Sequence, residues 1–274
     1  MYRIGTSGYS YQDWKKIFYP GILSSSLFLK FYAKYFDAVE IDSTYYRIPP
    51  PAVFEQIAKK VTETFKFSVK TPSTFTHQRG RYSETVEQFR KSISPLVKKG
   101  LLGCILAQFP FSFRPSTPNL EHIARIADDL HDMAPLCVEF RHIAWQRDDV
   151  YSFLEERGIG YVNVDLPDLE GLPKPSSVTT SDLGYIRFHG RVSYDNWWKP
   201  PHSHERYNYE YTKEELREWV PKVKAIEKGT KTLYFMFNNH YGAKSVRAAL
   251  EMKRLLGLKA EEPLTLRQTQ QVLL

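Results

Sequence analysis

Cysteine is scarce in this chain: two residues, Cys104 and Cys137, in 274. Two isolated cysteines inside apolar runs give neither a disulfide framework nor a zinc spacing. Both are expected to be buried free thiols, which suits a reducing cytoplasm. No apolar run approaches the ~18 residues of a membrane span, so no membrane role is expected. The start MYRIGTSG enters an apolar run directly, and no signal peptide is read there. Low-complexity tracts, interdomain linkers and sequence repeats are also missing. HExxH and CxxC spacings do not occur, so neither a metal nor a cofactor is expected.

Aromatics and charge are plentiful. The chain has 18 Tyr and 17 Phe, and its 42% hydrophobic content suffices for a large core. The net charge of +7 favours anionic partners. It is spread along the chain rather than gathered in a tail, so it argues only weakly for nucleic acid.

Eight short apolar runs ending in polar residues recur at 3–7, 38–42, 66–70, 103–108, 136–141, 161–165, 185–189 and 233–238. Helical patterns lie between them, at 26–35, 52–61, 83–99, 119–130, 147–157, 212–227 and 243–256. The 212–227 stretch opens on a Thr212-x-x-Glu215 capping box. Strands alternating with helices imply parallel β/α units. Eight such units predict an α/β fold, a single (β/α)8 TIM-type barrel spanning 1–274. The tail after Glu261 has no assigned strand or helix and is placed across the base. Long connections follow the first strand (8–25) and the seventh (190–211). Connections of that length commonly serve as lids or binding loops.

Strand parity then orders the side chains. Val39 and Ile41 share a face opposite Glu40 and Asp42; Val138 and Phe140 oppose Glu139 and Arg141. Ile186 and Phe188 oppose Arg187 and His189; Val162 and Val164 oppose Asn163 and Asp165. If the apolar set faces the helices, the axis receives Glu40, Asp42, Glu139 and Asp165 against Arg3, Lys70, Arg141 and Arg187. Those charges balance as four pairs. The loops add His77, Arg79, Arg81, His142, Trp145, Arg147, Arg191, Trp197, Trp198, Lys199, His202, His204 and Arg206. The result is a basic, aromatic mouth at the carboxyl ends of the strands.

Three functions fit that mouth. The first is an enzyme acting on an anionic, phosphate-bearing ligand, a nucleotide or nucleic acid. Lys70, Arg141, His189 and Arg191 bind or polarise the anion, with His77, His142 and Gln108 beside them. Glu139, or else Glu40, is acid or base; His189 is a catalytic acid or base as well as a phosphate donor, and Trp197 or Trp198 covers the ligand. Asn238 and Asn239 fix its orientation. The second is a carbohydrate hydrolase using Glu40 and Glu139 as its carboxylate pair. The third is a nucleic-acid binder without catalysis. Each glutamate can equally well neutralise an interior cation. A desolvated Lys70 can form a Schiff base; its plainer role is a cation paired with Glu40 or with the ligand.

The ordered motifs GTSGYSYQDW (5–14), FYP (18–20), VEIDSTYYRIP (39–49), FSVKTPSTFTH (67–77) and LAQFPFSF (106–113) resemble those of the YecE-like family. VEFRHIAW (138–145), RFHGR (187–191) and FNNHYGAKSVRAAL (237–250) continue the resemblance. This bacterial and archaeal family is labelled a domain of unknown function. The resemblance implies a TIM-barrel-like fold and no established reaction.

Overall fold

The computed structural model of the protein describes residues 1–200 and 202–266, without the side chains at 196, 203 and 204. The His204 side chain and the tail beyond 266 therefore lie outside what is described. The strands are β1 (Tyr2–Thr6), β2 (Ala38–Ile41), β3 (Lys66–Lys70), β4 (Leu102–Gln108), β5 (Leu136–Glu139), β6 (Gly160–Asp165), β7 (Leu183–Phe188) and β8 (Thr232–Phe237). All pairings are parallel, in the ring order β1-β8-β7-β6-β5-β4-β3-β2. Helices α1 (Phe28–Tyr32), α2 (Pro51–Ala58), α3 (Ser73–Thr76), α4 (Tyr82–Lys98), α5 (Thr117–Leu130) and α6 (Asp148–Glu156) follow the first five strands. The connection after β7 holds α7 (Tyr194–Trp198), α8 (Lys213–Arg217) and α9 (Trp219–Glu227), and α10 (Lys244–Leu255) follows β8. The eight apolar runs are the eight strands, and the (β/α)8 barrel is the fold.

The capping box at Thr212 forms, with Thr212 Oγ1 accepting from Glu215 N–H and Glu215 accepting from Thr212 N–H. The single helix expected at 212–227 is split at Glu218. Pro221 has no N–H to offer the Arg217 carbonyl, so the i to i−4 ladder is interrupted there. At the tail, Leu266 is buried and Thr265 donates to the Phe18 carbonyl. This part of the tail thus lies on the segment following β1.

Two packing layers follow from the alternation. Ile4, Val39, Val69, Ile105, Val138, Phe188 and Phe235 face the helices in one large core. Leu106, Cys104, Cys137, Tyr185, Tyr234 and Met236 fill the barrel interior, and both cysteines are buried and unbridged.

Strand β6 reverses the expected parity. Val162 and Val164 belong to the interior cluster, while Asn163 and Asp165 point outward to partners beyond the ring. Among the described residues no helix joins β6 to β7; residues 166–182 cross β6 as irregular chain. Such a segment needs partners for its backbone groups. Asn163 supplies them, accepting from Val178 N–H and Ser176 Oγ and donating to the Val178 carbonyl. The four interior ion pairs are corrected accordingly: Asp165 leaves the axis. Arg3 sits at the other end of the barrel, donating to the Thr64 carbonyl.

The ring closes between β1 and β2 through a Ser7–Glu40 bridge and a Gly8 N–H to Glu40 carbonyl bond of 2.8 Å. Below it the Tyr32 hydroxyl is inserted into the seam. It accepts from Thr6 N–H at 2.8 Å and donates to the Ala38 carbonyl at 3.2 Å. Gly5 makes the close approach possible, because a Cβ there would lie 2.0 Å from the Ala38 oxygen. Tyr32→Phe orphans both buried backbone groups and is expected to destabilise the protein by about 1–3 kcal/mol. Urea unfolding reads this directly; an unchanged midpoint would show that the seam does not need the hydroxyl.

Candidate functional site

The site is built from the floor upward. Arg187, on β7, is fully buried in the barrel. Its Nη1 donates to Glu139 of β5 at 2.5 Å, and its Nη2 donates to Glu40 of β2 at 2.6 Å. Glu40 also accepts from Ser7 Oγ at 2.7 Å and Tyr185 Oη at 2.6 Å. Glu139 accepts from Arg141 Nε at 2.5 Å. Burial opposes ionisation of Glu139, but the Arg141 and Arg187 guanidiniums outweigh it and hold the carboxyl well below its usual range.

His189 lies beside this network, also fully buried. Its Nδ1 faces Asn238 Nδ2 at 3.1 Å and Arg141 Nη2 at 3.5 Å. Two donors at Nδ1 assign the proton to Nε2, which lies 3.2 Å from Glu139 Oε1 but out of line for a good hydrogen bond. Burial, and then the Arg141 charge, pull the imidazole down to about 3. His189 is therefore neutral at physiological pH and holds Arg141 in place.

Above the floor is a cavity of two adjoining lobes, of about 290 and 280 Å3. Both are walled by Tyr46, Lys70, Gln108, Arg141, Arg206 and Tyr207. One lobe adds Tyr45, His77, Phe111, Trp197 and Trp198; the other adds Asp42, Arg187, Asn238 and His240. With the glutamates beneath included, Lys70, Arg141, Arg187 and Arg206 stand against Glu40, Glu139 and Asp42, an excess of one positive charge. The cations face the cavity and the glutamates lie under it. A larger cleft of about 700 Å3 sits outside, between the loop after β2 and α4. It is off the strand ends, where barrels of this kind place their chemistry.

Each wall residue is fixed by neighbours. Lys70 Nζ donates to Gln108 Oε1 at 2.9 Å and lies 4.5 Å over the Tyr45 ring. Gln108 in turn donates to the Phe109 carbonyl at 2.9 Å. Burial, and then the Arg187 charge, bring the Lys70 amine down to about 8. Arg141 and Arg206 each lie 5.4 Å from the Trp197 ring. Trp198 meets the Phe111 ring edge-on at 4.9 Å. Burial, then Lys70, lower His77 to about 4.

The structure thus gathers Lys70, His77, Gln108, Arg141, Trp197, Trp198 and Asn238 around one cavity. Glu40, Glu139 and His189 lie beneath it. Arg191 is turned away, its guanidinium bound to Asp165 at 2.8 Å and Glu218 at 2.9 Å. His142 accepts from Ala144 N–H and packs on Phe111. Asn239 is buried and donates to the Tyr209 carbonyl. Tyr45, Tyr46, Phe111 and His240 were not singled out from sequence. The first two follow β2 directly, and a strand-end position was the signal available for them. Among the described residues, no three His, Cys, Asp or Glu side chains cluster to hold a metal. No helix among them is long and apolar enough to cross a membrane.

Removing the Arg187 charge leaves two buried carboxylates facing each other, so Arg187→Met is expected to cost about 3–5 kcal/mol. Denaturant unfolding measures it, and a neutral result would mean that the floor does not depend on this cation. His189 generates a pH effect. The unfolded chain protonates it below about pH 6.5, the folded protein only near 3. Unfolding takes up a proton in that window, so stability falls as pH is lowered from 6.5 toward 3. His189→Asn is expected to remove up to about 1.4 kcal/mol per pH unit from that slope. Parallel wild-type and variant slopes would rule out the assignment.

Comparison with known proteins places the chain. It is 29% identical over 275 residues to UPF0759 protein YunF of Bacillus subtilis, covering 94% of this chain and 96% of that protein. UPF0759 protein YecE of Escherichia coli is 30% identical over 60% of this chain and 59% of its own length. A DUF72 family protein from Thermotoga maritima has a solved structure with a TM-score of 0.83 and 39% identity, covering 94% of this chain and 99% of its own. One from Enterococcus faecalis gives a TM-score of 0.82 at 26% identity, with 96% and 98% coverage. The resemblance drawn from the motifs is the relationship found. Matched over residues 3–272 to the family described as protein of unknown function DUF72, the chain belongs to that family.

Proposed function

We propose that the protein binds and acts on a phosphate-bearing ligand with a planar ring, a nucleotide or the end of a nucleic-acid strand, in the mouth cavity. One observation carries this reading: Lys70, Arg141 and Arg206 share a cavity wall with Tyr45, Tyr46, Tyr207 and Trp198. Cations with interleaved aromatics suit phosphate contact together with base stacking. Arg141 and Arg206 hold the anion, their guanidiniums steadied by Trp197 between them. Neutral His189 and Asn238 support Arg141 from below without adding charge. The combined lobes match the lower range of small-molecule sites.

The carbohydrate-hydrolase alternative requires Glu40 and Glu139 to reach a sugar. Neither lines the cavity, and both are bound to Arg187. No observation favours it. Salt-dependent binding of a nucleotide without turnover would identify a binder rather than an enzyme.

The test is calorimetric titration with adenosine monophosphate and with adenosine. The monophosphate is expected to bind at least about tenfold more tightly, with affinity falling as salt rises. Arg206→Gln is expected to weaken it about ten- to a hundredfold. Equal affinity for the two compounds, or indifference to salt, would overturn the phosphate reading.

A further inference from the structure

Lys70 is more than one cation among several. It ends β3 in register with Leu106, and its carbonyl accepts from Thr44 Oγ1 at 2.6 Å. Its backbone is thus held on both sides while its amine reaches the cavity. That amine meets a neutral acceptor, Gln108 Oε1. Asp42 lines the same lobe, yet no ion pair joins the two. Arg187 and Arg141 stand nearby and disfavour a further positive charge, while Glu40 and Glu139, which favour it, are committed to those guanidiniums. A lysine placed only to neutralise a carboxylate would sit against one. This one is desolvated, beside other cations and hydrogen-bonded to an amide, the setting in which lysine becomes a nucleophile.

We propose that Lys70 forms an imine with an aldehyde or ketone substrate that carries an anionic group. The anion's place rests on the reading of the cavity given above; the imine does not. Neutral Lys70 Nζ attacks the carbonyl carbon, forming the C–N bond as the carbonyl π pair moves to oxygen. A proton passes from nitrogen to that oxygen, with Asp42 as its carrier. The carbinolamine then loses its hydroxyl as water, taking up one proton at oxygen and releasing one from nitrogen. The balance is amine plus carbonyl to imine plus water, with no oxidant or reductant. Burial supports the first step: at pH 7 roughly a few hundredfold more of this amine is neutral than of an exposed lysine.

The experiment is reductive trapping on the full chain. The protein is incubated with glyceraldehyde 3-phosphate, or with neutral glyceraldehyde, and sodium cyanoborohydride, and the modified lysines are mapped by peptide mass spectrometry. Lys70 is expected to be labelled at least about tenfold faster than the exposed Lys99 and Lys228. Asp42→Asn should slow that labelling, and Lys70→Arg should abolish it with an unchanged far-ultraviolet dichroism spectrum. The wild-type map stands alone if Lys70→Arg does not fold. Labelling of Lys99 and Lys228 at the same rate as Lys70, or no labelling of Lys70, overturns the imine. Fast labelling of Lys70 by both aldehydes alike upholds the imine and overturns the anionic substrate.

Discussion

One guanidinium ties three sides of this barrel together. Arg187 rises from β7 and reaches Glu40 on β2 and Glu139 on β5, which are otherwise held apart by the width of the ring. Burying three charged groups is costly, and removal of any one leaves an unpaired charge. Well-packed apolar residues of similar volume would serve stability at least as well. What the ion network adds is direction. Glu139 presents a second oxygen to Arg141, which is thereby aimed at the cavity, and Glu40 draws Ser7 and Tyr185 into the closure of the ring. Each carboxylate of the floor is thus shared between a guanidinium and further donors.

That arrangement explains why the mouth combines cations with neutral donors. His189 could not be charged without repelling Arg141 and Arg187, and burial keeps it neutral. Its two nitrogens face different groups, Asn238 and Arg141 on one side and Glu139 on the other. Gln108 performs the matching task for Lys70, accepting its hydrogen bond without contributing a charge. The cavity therefore holds its cations near one another through amides and an imidazole rather than through further carboxylates.

Much of this was legible in the residues themselves. The eight strands follow from apolar runs alone, and the inward placement of Glu40, Glu139 and Arg187 follows from alternation. Alternation failed at β6 for a physical reason. Val162 and Val164 suit either layer, and what selects the layer is the set of outside partners for Asn163 and Asp165, supplied by residues 176–178 and by Arg191, Tyr211 and Trp219 rather than by the strand. Sequence position alone puts Arg191 in the mouth, because it follows β7 closely. Gly190, at φ +95°, turns the chain between His189 and Arg191, and Tyr209 occupies the space that a Cβ there would need. The roles of Glu40 and Glu139 had no signature at all, since an interior ion pair and a catalytic pair leave the same letters in a sequence.

The reversal at β6 also anchors the long connection after β7. Because Asp165 points outward, it meets both ends of the 190–211 connection. Arg191 at its start and Tyr211 at its end each bind the carboxylate, at 2.8 and 2.7 Å, and Trp219 Nε1 donates to it at 2.6 Å. The Tyr211 hydroxyl also accepts from Gly190 N–H at 2.9 Å, pinning the two ends to each other. Bringing the ends of so long a connection together costs entropy, and a buried charge with several donors offsets it. The connection carries Trp197, Trp198, Arg206 and Tyr207, four walls of the cavity. A carboxylate on the axis at β6 would have cancelled the cations of the mouth. On the outer face it leaves them uncancelled and holds in place the segment that completes the cavity.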